Sequence, residues 1–306
     1  MSTDVITGAF GYSGAAIADQ LMAAGRRVRT LTSHPRGDAE DIDTRPLDFT
    51  DPETLTANLA GAHTLYCTYW VRFPHGAATR ESAVANSKIL FDAAARAGIE
   101  RIVYVSILHA DPGSPYPYFS GKGEVEAHLA AAGVPYAIAR PSILFGSSRR
   151  LGVQASVLVN NIAWLLRHLP VFGIGDGGGY RVRPIHVDDL ARLCVDLGQR
   201  DSNVTVDAVG PDTPTFRELV TAIRAATGSR SVLMPVPGRL MPPLASLLGA
   251  ALRDVLLTAE EYQAMREGLA TSDAAATGQT GLMDWIERNG AELGRTYANE
   301  LARHYR

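Results

Sequence analysis

Three glycines spaced three apart, Gly8, Gly11 and Gly14, stand between a short apolar β run, Val5-Ile6-Thr7, and a helical pattern from Tyr12 to Ala24 with apolar residues at Ile17, Leu21 and Met22. A turn with so little side chain reverses the chain tightly and lets the helix lie close to the strand. It also turns backbone N–H groups and the positive end of the helix dipole toward an anion. The same rhythm continues as far as Arg140. Further β runs lie at Val28–Thr32, up to Phe49, at Thr64–Thr68, at Arg101–Ser106 and at Pro135–Arg140. Between them are helical patterns that start at Asp51-Pro52-Glu53 and span about 79–97 and 118–132, with Gly25, Gly98 and Gly133 as stops. Crossovers of helical length between strands require parallel pairing, so the expected fold is α/β, a doubly wound parallel sheet covered on both faces.

After Arg140-Pro141 the pattern turns mostly helical. Helices are expected at Val153–Arg167, Thr215–Thr227, Leu240–Leu252 and Thr258–Gly268, with a short strand near Val204–Val206 and a long closing helix from about Leu282 to His304. The glycine-rich stretch Gly173–Gly179 is left without a function, and 274–281 reads as a linker. The expected organisation is a cofactor domain at 1–146 and a smaller, mostly helical substrate region at 147–306, interleaved with the first in space.

Composition excludes several classes. With 306 residues, 46% of them hydrophobic, the chain can bury a core without staples, and Cys67 and Cys194 alone make no disulfide framework. A net charge of −3 provides no basic field for nucleic acid. The most apolar stretch, Leu240–Leu257, is interrupted by Pro242, Pro243, Arg253 and Asp254 and falls short of the ~20 residues of a membrane span. The histidines show no metal-binding spacing. A cytoplasmic protein with a small-molecule substrate, no nucleic acid, no membrane and no metal is expected. The closing helix, with Trp285, Ile286, Leu293, Tyr297 and Leu301 at helical spacing, offers either a packed face or a homodimer contact.

Tyr118-Phe-Ser-Gly-Lys122 places a phenol and an ammonium one helical turn apart, about 5–6 Å on one face. Free tyrosine has a pKa near about 10, and a neighbouring cation stabilises its phenolate, so the pair is suited to proton transfer near neutrality. Together with Gly-x-x-Gly-x-x-Gly, this resembles the short-chain dehydrogenase/reductase superfamily in its extended and atypical branches, which include sugar epimerases, NmrA-like proteins and the complex I accessory-subunit type. The resemblance covers nearly the whole chain and implies a Rossmann-type domain that binds NAD(P).

By that resemblance Gly8, Phe10, Gly11 and Tyr12 surround the pyrophosphate. Asp48 takes the adenine amine, with backbone contact at Phe49, and Thr68 lies against the cofactor. Pro141 fixes the turn past the nicotinamide. The bulky pair Tyr69-Trp70 departs from the family's small residues, and either narrows the pocket or packs under the next loop. The window Thr32-Ser33-His34-Pro35-Arg36 has no carboxylate for a ribose hydroxyl. Ser33 and Arg36 suit a 2′-phosphate instead, so NADP(H) is preferred, with NAD(H) the alternative through Asp38.

Within this resemblance Tyr118 and Lys122 are catalytic, and Lys122 also binds the nicotinamide ribose. Ser106 is the substrate anchor, although Ile107 and Leu108 stand where later serines are usual. Tyr180 and Arg183 occupy substrate-contacting positions, Asn86 is structural, and Asp188 reads as a helix N-cap. The expected activity is NADPH-dependent hydride transfer to a carbonyl of a small organic substrate, with Tyr118 as general acid. Two alternatives stay open: an NAD-dependent nucleotide-sugar epimerase or dehydratase, and an NADP(H)-sensing NmrA-like regulator.

Overall fold

The computed structural model describes residues 2–34, 41–148 and 151–304. These fall into two compact units. One consists of Met1–Pro141, Ser148–Arg150 and Val187–Ala208, the other of Ser142–Ser147, Leu151–His186 and Val209–Arg306.

The first unit alternates β1 (Thr3–Thr7), α1 (Tyr12–Ala23), β2 (Arg27–Thr32), β3 (Asp43–Pro46), α2 (Pro52–Leu59), β4 (Thr64–Cys67), α3 (Arg80–Arg96), β5 (Arg101–Val105), α4 (Pro117–Ala131) and β6 (Tyr136–Pro141). A seventh strand, Val204–Ala208, joins β6, and the spatial order is Val204–Ala208, β6, β5, β4, β1, β2, β3. Every neighbouring pair is parallel, with Val5 opposite both Arg29 and Leu65, and Val103 opposite Tyr66 and Ala137. The central strands β4 and β5 are buried along their whole length, as strands covered on both faces must be. This is the doubly wound Rossmann-type sheet expected from the alternation.

Leu55, Leu59, Leu90, Phe91, Val125 and Leu129, from α2, α3 and α4, pack over Leu65, Ile102, Tyr104 and Ile138. On the other face α1 packs with the helix Val187–Gly198, whose buried stripe is Leu190, Ala191, Cys194 and Leu197. That helix is tied down by Arg101, which donates to Leu197 O at 2.7 Å and Ser202 O at 2.8 Å. Close approach matters here, because a Cβ on Gly198 would lie 2.1 Å from Tyr66 Oη. The helix begins at Val187, which places Asp188 and Asp189 inside its first turn and not at the cap. There their carboxylates still complement the dipole.

The second unit packs helices Val157–His168, Phe216–Ala226 and Leu282–Asn289 around Ile162, Leu166, Ile174, Leu219, Ile223, Trp285 and Ile286. Helices Met241–Leu252 and Ala259–Arg266 follow the pattern expected for them. Two short parallel pairs, Val171–Gly175 with Val232–Val236 and Leu144–Phe145 with Ile185–His186, went unnoticed in the sequence because glycines and prolines interrupt their β runs.

The long closing helix does not form. It stops at Asn289, and a five-residue helix resumes at Glu300. Gly294 has φ +71°, and a Cβ there would meet the Ala163 backbone at 2.4 Å, so the segment folds down onto its neighbour. The Asp254 carboxylate then accepts the N–H groups of Glu300 and Leu301, which starts the last helix. Trp285, Ile286 and Leu293 are packed into this unit's own core. The linker expected at 274–281 is pinned instead, since Thr277 N donates to Val209 O and Thr277 Oγ1 accepts from Val209 N, at 2.9 and 3.0 Å.

Candidate functional site

The carboxyl ends of β1 and β4 mark the point where the chain, having built outward to β3, crosses back to the other half of the sheet. Open α/β sheets bind their ligands at such a switch point. A short network fixes the two strand ends. Thr7 Oγ1 accepts the N–H groups of Thr68 and Tyr69 at 2.8 and 3.0 Å, and Thr68 Oγ1 donates to Thr7 O at 2.6 Å. Thr30 Oγ1 accepts from Ala9 N and donates to Ile6 O, which anchors the start of the turn to β2. Neither Thr7 nor Thr30 stood out in the sequence. A threonine directly before a glycine turn was the available signal.

Gly8 takes φ +68° and donates to Leu31 O at 2.9 Å, and Gly11 N donates to Gly8 O at 2.8 Å. A Cβ on Gly14 would lie 2.2 Å from that same Gly8 carbonyl, so glycine is required for the helix to close on its own turn. Helix α1 starts from Gly11 with no side-chain cap and no acidic residue in its first turn. Its positive end is thus left for an external anion. Phe10 and Tyr12 are half-buried beside this turn.

On the side where the resemblance puts the adenosine, Ser33 is exposed, with Oγ 3.0 Å from His34 Nδ1. Arg36 and Asp38 lie outside the described residues. Asp48 is exposed and its Oδ1 accepts from Thr50 Oγ1 and N at 2.7 and 2.8 Å, bonds that hold its carboxyl below the ordinary range. The Phe49 ring meets Tyr69 at 4.8 Å between centroids, and Tyr69 Oη accepts from Asn86 Nδ2 at 2.9 Å. Tyr69 is therefore a packing residue held by the asparagine of α3.

Trp70 has a different place. Its ring lies edge-on to Tyr118 at 5.8 Å and over the Lys122 ammonium, with Nζ 4.4 Å from the Trp70 centroid and 4.7 Å from that of Tyr104. Lys122 is 3% exposed and donates to Val105 O at 2.9 Å. Burial brings its pKa down to about 7, and the aromatic faces and the carbonyl are its compensation. The flanking glycines explain how the ammonium is enclosed. A Cβ on Gly121 would touch Val84 at 3.1 Å and Trp70 at 3.3 Å, and one on Gly123 would collide with the Asp111–Pro112 peptide at 2.4 Å.

Tyr118 sits in the first turn of α4, with the Arg80 guanidinium 5.9 Å from its ring centroid. Ser106 follows β5. Its N–H donates to Ala139 O at 2.8 Å, whereas its buried Oγ has no hydrogen-bond partner among the described residues. Leu108 is fully buried and donates its N–H to Pro141 O at 3.0 Å, so Pro141 is held against the loop that carries Ser106. The next residue, His109, adopts φ 56°, a conformation costly for a side chain with a Cβ. Arg140 pairs with Glu126 and donates to Ala110 O, bracing the far side of that loop.

The two residues expected to touch substrate belong to the second unit. Tyr180 stacks on Phe216 at 5.3 Å and meets Tyr262 edge-on at 6.1 Å, and burial pushes its phenol above the ordinary range. Arg183 donates to three backbone carbonyls, those of Gly210, Ser272 and Ala274, at 3.1, 2.6 and 2.6 Å. Its guanidinium holds three chain segments together.

Residues 8–156 match a family of NAD(P)H-binding domains. The chain carries an NAD(P)-binding Rossmann domain. An uncharacterized protein of Sinorhizobium fredii is 25% identical over 280 residues, 81% of this chain and 67% of its own length. The chain spans between about half and two thirds of the length of the relatives it matches. Among solved structures, an NADPH-dependent quinone oxidoreductase of Escherichia coli complexed with NADPH has a TM-score of 0.75 at 20% identity, covering 93% of this chain and 99% of that one. The triphenylmethane reductase of Citrobacter sp. complexed with NADP(H) has a TM-score of 0.74 at 20% identity over 94% of this chain and 99% of its own. The domain's own features fit a dinucleotide. These are an uncapped helix end over a glycine turn at the switch point, a lysine held below Ser106's strand end, and a buried hydroxyl without a partner among the described residues.

Proposed function

We propose that this protein is an NADPH-dependent reductase acting on a carbonyl group of a small organic substrate, quinones included, with Tyr118 as the general acid. The observation that carries this reading is the grouping at the end of β5. Lys122 and Tyr118 share one face of α4, and the unsatisfied Ser106 Oγ stands at the strand end whose Val105 carbonyl holds Lys122. The likeness to two NADPH-linked reductases supports the same reading.

Bound NADPH supplies the hydride. The chain supplies the rest. Ser106 Oγ–H donates a hydrogen bond to the substrate oxygen, which gives the buried hydroxyl a partner, and Tyr118 Oη–H delivers its proton to that oxygen. Lys122, fixed by Val105 O, lowers the cost of the phenolate left behind. The uncapped start of α1 binds the pyrophosphate, and Ser33 with Arg36 takes the 2′-phosphate.

The test is NADPH and NADH titration by nicotinamide fluorescence, followed by NADPH consumption across aldehydes, ketones and quinones with wild type and Tyr118→Phe. Loss of a general acid is expected to lower turnover by roughly 10²–10⁴-fold with cofactor affinity unchanged. Equal turnover in the variant overturns the role of Tyr118, and preference for NADH overturns that of Ser33 and Arg36. One observation favours a second reading. Leu108 is fully buried and Ile107 is apolar, so Ser106 is the sole hydroxyl at this strand end. NADPH binding without Tyr118-dependent turnover on any compound would support an NADP(H)-sensing protein.

A further inference from the structure

The helix Met241–Leu252 inverts the usual surface pattern. Its inner side is marked by Gly249, which lies 2.6 Å from Asp254 O at the position a Cβ would take. Its exposed residues are Pro243, Leu244, Ser246, Leu247, Ala250 and Ala251, with Leu244 50% and Leu247 72% exposed. At 3.6 residues per turn these six fall on one side, and none is charged. A surface helix normally turns charged residues outward, as the helix Phe216–Ala226 of the same unit does with Arg217 and Glu218. Leu240, just before the helix, is also exposed, as are Val232 and Met234 on the nearby strand Val232–Val236.

The unpaired charges of this segment have one sign, since the nearby Asp176 carboxylate is taken up by Gly238 N and Arg266 and Asp254 is buried. From Gly228 to Arg253 the sequence contains Arg230, Arg239 and Arg253 and no Asp or Glu, in a chain whose net charge is −3. All three arginines are exposed, and none makes an ion pair among the described residues. Arg239 and Arg253 bracket the helix at its two ends.

We propose that Met241–Leu252 is a membrane-surface helix that lies in the plane of an anionic bilayer. Its outward apolar face enters the acyl boundary while Arg230, Arg239 and Arg253 meet lipid phosphates. Its 12 residues extend about 18 Å, too short for the roughly 30 Å hydrocarbon core. The expectation of no membrane partner rested on that spanning length, which does not limit a helix lying flat. A second copy of this chain is a poorer occupant. Among the described residues the exposed large apolar side chains are Val171, Val232, Met234, Leu240, Leu244 and Leu247, which is all the large apolar surface such a contact could draw on. A ring of uncompensated arginines would also be brought against its own like.

The test is co-sedimentation of the full chain with vesicles of phosphatidylcholine alone and of phosphatidylcholine with phosphatidylserine. Wild type is expected to bind the anionic vesicles at least about tenfold more tightly and to lose that difference as salt rises. Leu244→Glu with Leu247→Glu should abolish binding to both, with thermal unfolding and NADPH affinity unchanged because both side chains point to solvent. Arg239→Glu with Arg253→Glu should remove only the preference for anionic lipid. Absence of binding to either vesicle overturns the proposal. So does a concentration-dependent dimer, seen by ultracentrifugation, that the leucine variant breaks while vesicle binding persists.

Discussion

At Gly8 the nearest atom to the place a Cβ would occupy is Thr68 Oγ1, 4.0 Å away; at Gly175 it is Tyr262 Oη, 2.2 Å away, with Met241 Cγ at 2.6 Å. The two glycine-rich stretches are alike as strings but opposite in use. In the first, Gly11 and Gly14 make their close contacts with Gly8 O, so the turn closes on itself and its outer side stays open. In the second, the room left by glycine is taken mainly by groups from elsewhere: Val236 at Gly173, Tyr262 and Met241 at Gly175, and Arg217 together with the stretch's own Ile174 at Gly178. Gly177, with φ +73° and nothing within 4 Å, simply turns the chain, and Asp176 beside it is held by Gly238 N and Arg266. What separates the loop proposed to bind cofactor from the packing loop is which atoms fill the missing Cβ positions, not how many glycines it has.

Adding the same methyl to both stretches should have opposite consequences. Gly14→Ala forces the Gly8 carbonyl away and reshapes the turn proposed to hold the pyrophosphate, so NADPH affinity should fall about 100-fold, equivalent to roughly 3 kcal/mol. Gly175→Ala displaces Tyr262 and Met241 instead. It should lower unfolding free energy by about 1–3 kcal/mol in a denaturant melt while NADPH affinity stays within about twofold. If fluorescence titration shows both variants losing NADPH alike, the two stretches are not functionally distinct.

Gly121 and Gly123 are a third case, in which neighbours fill the space and in doing so bury a charge. The Lys122 pKa falls from its ordinary value to about 7. Between about pH 7 and the unfolded value near 10.5, the unfolded chain binds a proton that the folded one does not. The destabilisation is therefore complete below pH 7 and is relieved as pH rises toward 10.5. Lys122→Met should accordingly raise the melting temperature over wild type by more at pH 6 than at pH 9, while turnover is lost at both. An equal gain at both pH values would show that Lys122 keeps its ordinary pKa, and that the aromatic and carbonyl contacts offset its burial fully.

The cofactor domain was legible because its signals are local. Strand, glycine turn and helix follow each other in the chain, and Tyr118 and Lys122 are one turn apart on a single helix. What was not legible depends on neighbours distant in sequence. Trp70 could be seen as an oddly large residue, but its place over Lys122 depends on α4 passing beside the end of β4. The closing helix failed because Gly294 has to fit against Ala163, more than a hundred positions earlier. Arg183 matched a substrate position by motif, yet the carbonyls of Gly210, Ser272 and Ala274 that occupy it come from segments no spacing rule connects. Helical periodicity found Met241–Leu252 but could not show that its outward face was the apolar one.

The smallest effect is expected at the edge of the glycine turn. The window after β2 has no carboxylate, and Ser33 is its exposed hydroxyl, held near His34 Nδ1 at 3.0 Å. One hydrogen bond to a phosphate at an exposed site contributes about 0.5–1.5 kcal/mol, a factor of roughly 3–10. Ser33→Ala should therefore weaken NADPH by about that factor and leave NADH unchanged, because NADH has no 2′-phosphate to lose. The ratio of the two affinities is the quantity to follow, since it cancels any general loosening of the turn. A parallel loss for both cofactors would mean that Ser33 shapes the turn without reading the phosphate. The proposed preference for NADPH would then rest on other residues of the window.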